Sequence, residues 1–271
     1  MKNHFLYEKS KIAYQLTGTG PQVLLLHGFG ESGFVWESLA EKLANQYSVL
    51  VPDLPGTGGS DLISDMSMEG QARCIQQVAV SLGWERYVLI GHSMGGYISL
   101  AGSELFSETL LGLGLFHSTA FPDSEEKKAT RRKGIDFIRT HGAQAFLETS
   151  SPNLFAPSTR DENPELIDEF LSRLDNFLPE TLVSCYEAMM ARPDRRQQLI
   201  SSSFPIMIVL GKYDQAIPLE DGLKLCSLPK KAYIHILSQS GHMGMLEEPQ
   251  KSEESIREFL KDCWDSYPMH S

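Results

Sequence analysis

The stretch YVLIGHSMGGYISL, residues 87–100, decides the fold. Its first four residues are bulky and apolar, which predicts a short strand buried on both faces. Gly91 to Gly95 then fit the pattern G-x-S-x-G, and the apolar residues after them predict a helix that packs back onto the sheet. So tight a turn strains the backbone of Ser93, and the flanking glycines remove side chains that would collide there. The Ser93 hydroxyl would then project beside the positive end of a helix, which makes it the candidate nucleophile.

Strands and helices alternate on both sides of this stretch. Short strands near residues 5–8 and 12–17 predict a hairpin at the start of the chain. Further elements are predicted as strands at 22–26, 47–51, 110–116, 206–210 and 233–237, and as helices at 35–44, 67–82, 220–226 and 249–264. The alternation predicts an α/β fold with right-handed crossovers and a mostly parallel sheet that is mixed at one edge.

The pattern changes over residues 117–203, where helical periodicity dominates and no convincing strand is present. Helices are predicted near residues 125–140, 163–176 and 179–191. We therefore expect a helical cap at 117–203, inserted after the sixth strand into an α/β core formed by residues 1–116 and 204–271. The last helix of this segment, near 194–200, could already belong to the core.

A base and a carboxylate that could activate Ser93 are found much farther along the chain. A serine hydroxyl becomes reactive when a base takes its proton and a third group holds that base. Asp214 follows the strand at 206–210, and His242 follows the strand at 233–237. Loops at the carboxyl ends of parallel strands meet at one edge of the sheet, where Ser93 is also expected. The chain order serine, aspartate, histidine is the order found with this kind of turn.

Three other histidines lie near the expected site. His27 and His92 belong to tight turns, where hydrogen bonds that brace the loop are their expected role. His117 follows a strand and could line the pocket. None of the three has the context of His242, which remains the candidate base.

Two other aspartates also follow strands. Asp53 opens a turn, where an aspartate most often caps backbone N–H groups. Asp123, beyond the strand at 110–116, is the more serious alternative to Asp214. The tighter glycine–strand–aspartate context favours Asp214.

Acyl transfer also requires hydrogen-bond donors for the oxyanion. The backbone N–H of Met94, directly after the nucleophile, is one candidate donor. The backbone N–H of Phe29, in the turn that follows an inner strand, is the second.

Five motifs together resemble the α/β-hydrolase superfamily over nearly the whole chain. They are His27-Gly28-Phe29-Gly30, Asp53-Leu54-Pro55-Gly56-Thr57-Gly58-Gly59-Ser60, Gly91-His92-Ser93-Met94-Gly95-Gly96, Gly211-Lys212-Tyr213-Asp214 and Gly241-His242. Within the superfamily, the chain is similar to the single-domain group of serine esterases, lactonases and cofactor-free haloperoxidase-like proteins, in which a helical cap follows the sixth strand. The resemblance is weakest in the cap, where such families set substrate choice.

The expected function is hydrolysis of small apolar carboxylic esters. Ser93 attacks the carbonyl, His242 takes its proton, Asp214 orients the imidazole, and water releases the acid from the acyl-enzyme. This mechanism needs no metal and no cofactor. The open alternatives are a lactonase, a carbon–carbon bond hydrolase, and a non-catalytic ligand receptor on the same fold.

Apolar side chains near the expected site predict an apolar pocket of modest size. The candidates are Phe29, Met94, Phe121, Tyr186, Met189, Met190, Ile217 and Met243. Arg131, Arg132 and Lys133 on the first cap helix could meet a substrate carboxylate, although such a run is typical of a solvated helix face.

Composition limits the partners. The 271 residues carry a formal net charge of -11, which argues against nucleic acid and anionic membrane surfaces as partners. We expect a small-molecule substrate, and a homodimer is an assembly that the sequence permits. Charges scattered through the N-terminal region and the lack of a long apolar run predict a cytoplasmic protein. The four widely spaced cysteines predict neither a zinc site nor a disulfide framework.

Overall fold

The computed structural model describes residues 2–174 and 177–267. Its strands are β1 Asn3–Tyr7, β2 Ser10–Thr17, β3 Gln22–Leu26, β4 Ser48–Pro52, β5 Tyr87–His92, β6 Leu110–Phe116, β7 Ile206–Gly211 and β8 Ala232–Leu237. They form one eight-stranded sheet in the order β1-β2-β4-β3-β5-β6-β7-β8. The strand with the central motif, β5, therefore lies in the middle of the sheet.

The sheet is parallel except at one edge. β1 pairs antiparallel with β2, and β2 pairs antiparallel with β4. All other pairs, from β4 through to β8, are parallel. The predicted mostly parallel sheet with a mixed edge is confirmed. Because the parallel strands run in one direction, the loops after β5, β7 and β8 leave the sheet at the same edge.

Helices cover both faces of the sheet. They are α1 Glu37–Leu43, α2 Met68–Ser81, α3 Met94–Leu105, α4 Glu125–His141, α5 Ala143–Ser150, α6 Pro157–Glu162, α7 Pro164–Ser172, α8 Pro179–Ala191, α9 Arg196–Ser201, α10 Leu219–Leu223, α11 Gly244–Glu247 and α12 Pro249–Asp265. α2 and α3 bury side chains such as Ile75 and Ile98 in one core. α1 and α12 bury Leu43 and Phe259 in the other. Each face of the sheet is thus covered, as a parallel sheet requires.

Helices α4 to α9 lie between β6 and β7, and we refer to residues 117–203 as the helical insertion. α4 packs against α5 and α8, whereas α9 contacts α3 of the core. The helix predicted near residues 163–176 is observed as α7, which ends at Ser172, and Asn176 lies outside the described residues. α5 and α6 were not expected from the sequence. Whether residues 117–203 act as a cap distinct from the core stays a prediction.

The four cysteines are free thiols, and Cys74, Cys185 and Cys263 are buried. Burial raises the pKa of each of these three thiols to about 12, so they stay protonated. In the part of the chain that the structure describes, no helix combines the length and the apolar character that crossing a membrane requires.

Candidate active site

Ser93 occupies the turn between β5 and α3 in a strained backbone conformation. Its φ of 50° lies in a region that residues other than glycine seldom adopt. The Ser93 N–H donates to the Phe116 carbonyl at 3.0 Å, and the Ser93 carbonyl accepts a hydrogen bond from Ser118 Oγ at 2.7 Å. The end of β6 and the start of the helical insertion therefore hold this turn in place.

His242 and Asp214 form a buried hydrogen-bonded pair. His242 Nδ1 lies 2.7 Å from Asp214 Oδ2, and the N–H groups of Ala216 and Ile217 each donate to Asp214 Oδ1 at 2.8 Å. Burial alone would raise the pKa of Asp214, but the imidazoles of His242 and His117 together outweigh burial and hold that pKa below its usual range. The carboxylate then assigns the proton to His242 Nδ1, which leaves Nε2 free to act as a base.

The backbone of His242 is held from two sides. Its N–H donates to the Leu154 carbonyl at 2.6 Å, and its carbonyl lies 2.9 Å from His92 Nε2. The other ring nitrogen of His92 lies 3.1 Å from Glu31 Oε2. Burial opposes a charge on His92, but the Glu31 carboxylate, the His242 carbonyl and Asp214 together outweigh burial and raise the pKa of His92. His27 similarly accepts a backbone N–H of the loop after β4 at 2.9 Å. The contacts of His92 and His27 are the bracing ones expected.

His117 lies directly behind this pair instead of lining the pocket. It is fully buried with a φ of 48°, and its Nδ1 lies 3.3 Å from Asp214 Oδ2. The contact lacks hydrogen-bond geometry, and neither ring nitrogen has a hydrogen-bond partner among the described residues. Burial lowers the pKa of His117 to about 4, so the ring is neutral near pH 7. The expectation that His117 could line the pocket is wrong, because the ring packs beneath Asp214.

His117, Asp214 and His242 could also be considered as metal ligands. Their ligand atoms all lie within 4.8 Å of one another. Two ligands of a tetrahedral zinc ion stand about 3.4 Å apart when the metal–ligand bonds are about 2.0–2.1 Å long. The 2.7 Å between His242 Nδ1 and Asp214 Oδ2 is instead the length of a charge-assisted hydrogen bond. The spacing therefore fits an imidazole–carboxylate pair better than a metal site.

Both alternative aspartates are bound elsewhere. Asp123 is buried between two guanidinium groups, with Oδ2 2.6 Å from Arg131 Nε and Oδ1 2.9 Å from Arg192 Nη1. Asp53 accepts the Gly33 N–H, which precedes α1, at 3.0 Å and the Gly59 N–H of its own loop at 2.8 Å, as expected for a capping residue. Of the three aspartates weighed, Asp214 is the one bonded to a histidine.

The two backbone donors expected for an oxyanion flank the same site. Met94 opens α3 directly after Ser93, and Phe29 follows β3. Within residues 2–174 and 177–267, neither the Met94 N–H nor the Phe29 N–H has a hydrogen-bond partner. Both donors are thus available to a ligand.

Ser93 and His242 face one cavity of about 150 Å³. Of the predicted pocket residues, Phe29, Tyr186, Met189 and Ile217 line it. The rings of Phe29 and Tyr186 stack with centroids 4.3 Å apart, so this part of the wall is apolar. The Ser93 hydroxyl makes no hydrogen bond to the imidazole of His242, a contact that often shortens only when substrate is bound.

Four other predicted pocket residues lie elsewhere. Phe121 lines a neighbouring cavity of about 400 Å³. The Met94 side chain is buried in the core under α3, and Met243 is fully buried in the opposite core. Met190 packs against that same core, because adjacent residues of a helix point about 100° apart and Met189 takes the cavity position. These four side chains therefore do not line the cavity that Ser93 and His242 face.

Comparison with known proteins identifies the family. A model of the Alpha/beta hydrolase family matches residues 23–253, from β3 to the start of α12. The chain belongs to the alpha/beta hydrolase family. The predicted resemblance and fold class are therefore confirmed.

Several named hydrolases are similar to this chain over most of its length. A 2-hydroxy-6-oxononadienedioate/2-hydroxy-6-oxononatrienedioate hydrolase of Paraburkholderia phymatum is 28% identical over 92% of this chain and 91% of its own. A pimeloyl-[acyl-carrier protein] methyl ester esterase of Aeromonas salmonicida is 26% identical over 92% of this chain and 99% of its own. The solved structure of a thermophilic esterase from Thermogutta terrifontis, with malate bound, superposes with a TM-score of 0.90 at 30% identity. The superposition covers 97% of this chain and 99% of the esterase chain.

Part of the cavity wall of this alpha/beta hydrolase was not expected from the sequence. Arg131, named above as able to meet a substrate carboxylate, does line this cavity, and its guanidinium is mostly buried against Asp123 instead of lying on a solvated face. The lining residues that were not expected are Glu31, Tyr97, Lys127, Leu147, Ser150, Ser151, Leu154 and Ala216. Most of them come from α4, from α5 and from the turn after α5. No local motif marks these residues, because their position depends on how the helical insertion packs onto the sheet.

Proposed function

We propose that this alpha/beta hydrolase is a serine esterase that cleaves small apolar carboxylic esters. One observation carries the proposal: Ser93, on a strained turn, faces the same cavity as His242, whose Nδ1 is bonded to the buried Asp214. Nucleophile, base and orienting carboxylate are the parts that two-step acyl transfer needs.

Each group has a defined task in this mechanism. His242 Nε2 takes the hydroxyl proton as Ser93 attacks the ester carbonyl, and Asp214 stabilises the imidazolium that forms. The N–H groups of Met94 and Phe29 hold the oxyanion. His242 then gives its proton to the leaving alcohol, and a water molecule activated by the same imidazole releases the acid from Ser93.

The shape of the cavity favours short substrates. Its volume is about 150 Å³, and Phe29, Tyr186 and Met189 give it apolar walls. An acyl group of a few carbons gains burial there, whereas a long chain would need the surrounding helices to move. The likeness to the esterase from Thermogutta terrifontis, at 30% identity over 97% of the chain, supports the same reaction class.

A second candidate is hydrolysis of a carbon–carbon bond next to a carbonyl. It is favoured by the likeness to the Paraburkholderia phymatum enzyme, whose name specifies a hydroxy-oxo-dienedioate substrate. The same nucleophile and base would serve, but the bond broken would join the carbonyl carbon to a neighbouring carbon atom instead of to the ester oxygen.

The test is hydrolysis of 4-nitrophenyl esters of increasing acyl length by the wild type and by Ser93→Ala and His242→Ala. We expect activity to be highest for short acyl chains and to fall by about 10³-fold or more in both variants. His4→Ala, which changes an exposed histidine on β1, is the matched control and should retain full activity.

Labelling by a fluorophosphonate gives an independent readout, because it requires an activated serine. Ser93→Ala should abolish the label. Ester hydrolysis that persists in a folded Ser93→Ala protein would disprove the mechanism. Turnover of a dienedioate but of no ester would favour the second candidate.

A further inference from the structure

A second cavity adjoins the active-site cavity. This outer cavity has a volume of about 400 Å³, and Lys127 and Ile217 line both cavities. Lys127 Nζ donates to the Ala216 carbonyl at 2.7 Å, which ties α4 to the loop that follows Asp214. The Lys127 side chain therefore lies on the boundary between the two cavities.

Lys127 differs from the other cations around the outer cavity. Each carboxylate that lines this cavity is already bound to a cation: Asp123 to Arg131 and Arg192, Asp194 to Arg196, and Asp221 to Lys224. Lys127 has no acidic partner among the described residues and is bound to a neutral carbonyl. The lining has four cationic and three acidic side chains, so it carries excess positive charge in a chain of net charge -11.

A carboxylate would compete successfully for this ammonium group. A hydrogen bond between two charged groups is roughly twice as strong as one between neutral groups, and it gains further where water is partly excluded. Moving Lys127 from the Ala216 carbonyl to a carboxylate would also loosen the boundary between the cavities. The apolar Ile217 side chain, shared by both walls, would then cover the carbon chain that joins the two ends of a ligand.

We propose that Lys127 binds a carboxylate at the far end of the ester substrate, placed in the outer cavity while the ester carbonyl lies at Ser93. The substrate class is then a half-ester of a short dicarboxylic acid. The proposal rests on the proposed serine esterase chemistry and changes one feature of its substrate: the short acyl group ends in a carboxylate instead of being wholly apolar.

A matched pair of substrates tests the proposal by kinetics. Mono-(4-nitrophenyl) glutarate and 4-nitrophenyl pentanoate have acyl chains of equal carbon number and differ in the terminal carboxylate. Lys127→Met should lower the ratio of kcat/KM for the glutarate to that for the pentanoate by about tenfold or more, the effect of one hydrogen bond between charged groups. Lys127→Arg should restore part of the ratio because it keeps the charge.

Lys128→Met is the matched control, since it removes one positive charge from the same helix. Lys128 pairs with the exposed Glu125 and lines neither cavity, so the ratio should not change. A ratio that changes by less than about twofold in Lys127→Met, or that falls equally in Lys128→Met, would overturn the proposal.

Binding without turnover separates this proposal from the esterase function. Calorimetric titration of the Ser93→Ala protein with monomethyl glutarate and with dimethyl glutarate should show tighter binding of the charged ester. Adding Lys127→Met should remove that preference. If the wild type hydrolyses neither nitrophenyl ester, the proposed esterase function is wrong. The titration alone then shows whether Lys127 binds a carboxylate. Equal affinity for the two esters would then refute the carboxylate site.

Discussion

Ser93 keeps its φ of 50° because the residues two positions away on either side have no side chains. A Cβ atom at Gly91 would lie 2.3 Å from the backbone carbonyl of Gly95. A Cβ at Gly95 would lie 2.5 Å from the His27 carbonyl oxygen and 2.7 Å from that of Leu26. These atoms belong to the backbone of β3 and of the turn itself, so they cannot move aside as a flexible side chain could.

Alanine substitution at two glycines of the same helix tests this steric argument. Gly95→Ala should lower the free energy of unfolding by about 2–4 kcal/mol and reduce ester hydrolysis, because the backbone of the Ser93 turn must shift. Gly102→Ala should be neutral or stabilising by up to ~1 kcal/mol, since its Cβ would meet Leu89 and Ala72 side chains at 3.8 and 3.9 Å. Urea unfolding and 4-nitrophenyl acetate hydrolysis measure both effects. Equal stability of the two variants would contradict the argument.

The convergence of Ser93, Asp214 and His242 could be predicted because each follows a strand of a parallel sheet, and such loops share one edge. The place of Lys127 could not, and for Arg131 the sequence left a pocket position and a solvated position both open. Both lie on α4, whose composition is typical of a solvated helix. Which face of that helix turns toward the cavity depends on its packing against α8, a contact between residues far apart in sequence.

At the scale of elements, one carboxylate joins the helical insertion to the loop after β8. Glu247 Oε1 accepts hydrogen bonds from the Ala156 N–H at 2.7 Å and from Thr159 Oγ1 at 2.8 Å. Its Oε2 accepts from the N–H groups of Gly241 and Met243 at 2.9 and 3.2 Å. The four donors are neutral, and burial raises the pKa of Glu247. The candidate base therefore sits in a loop whose shape depends on this side chain.

Removing that carboxylate should affect catalysis more than binding. Glu247→Ala frees the loop of His242, and we expect kcat for 4-nitrophenyl acetate to fall by about tenfold or more because the base is less well oriented. The melting temperature should also fall, since four hydrogen bonds are lost. Glu254→Ala, at an exposed position of α12, is the control and should change neither. If Glu247→Ala matches the control in kcat, Glu247 does not position His242.

Strands were easier to predict than the helices of the insertion. β5 and β7 are uninterrupted apolar runs with glycine at their carboxyl-terminal ends, and their observed bounds agree with the expected ones to within two residues. α5 and α6 are only 8 and 6 residues long, too short for a clear helical period, and packing stabilises them more than propensity does. Since α5 and the turn after it supply part of the cavity wall, the pocket was predicted less completely than the catalytic candidates.

At the scale of the whole molecule, the net charge does not describe the charge around the two cavities. The chain has a net charge of -11, yet Arg131 and Arg192 share the single carboxylate of Asp123, and the nearby Lys127 has no acidic partner in the described part of the chain. A sum over the sequence cannot show such a local excess, because it contains no distances. The net charge still predicts repulsion from polyanions in solution.

Burial of His117 makes the stability of the whole molecule depend on pH. Its pKa falls from about 6.5 in the unfolded chain to about 4 in the folded protein. Between these two pH values His117 is protonated in the unfolded chain and neutral in the folded protein. The free energy of unfolding therefore decreases as the pH falls below about 6.5. Asp214 affects the free energy of unfolding at lower pH. Its pKa is depressed in the folded protein, so its stabilising contribution is lost only below the ordinary aspartate pKa of about 4.

Comparison of the wild type with His117→Asn isolates this effect. Asparagine tolerates the positive φ of this position and does not titrate. On lowering the pH from about 7 to about 4.5, the wild type should lose about 2–3 kcal/mol more of its free energy of unfolding than the variant, as each pKa unit corresponds to about 1.4 kcal/mol. Urea unfolding at the two pH values measures the difference. Equal losses in the two proteins would mean that His117 takes up its proton in the folded state as readily as in the unfolded chain.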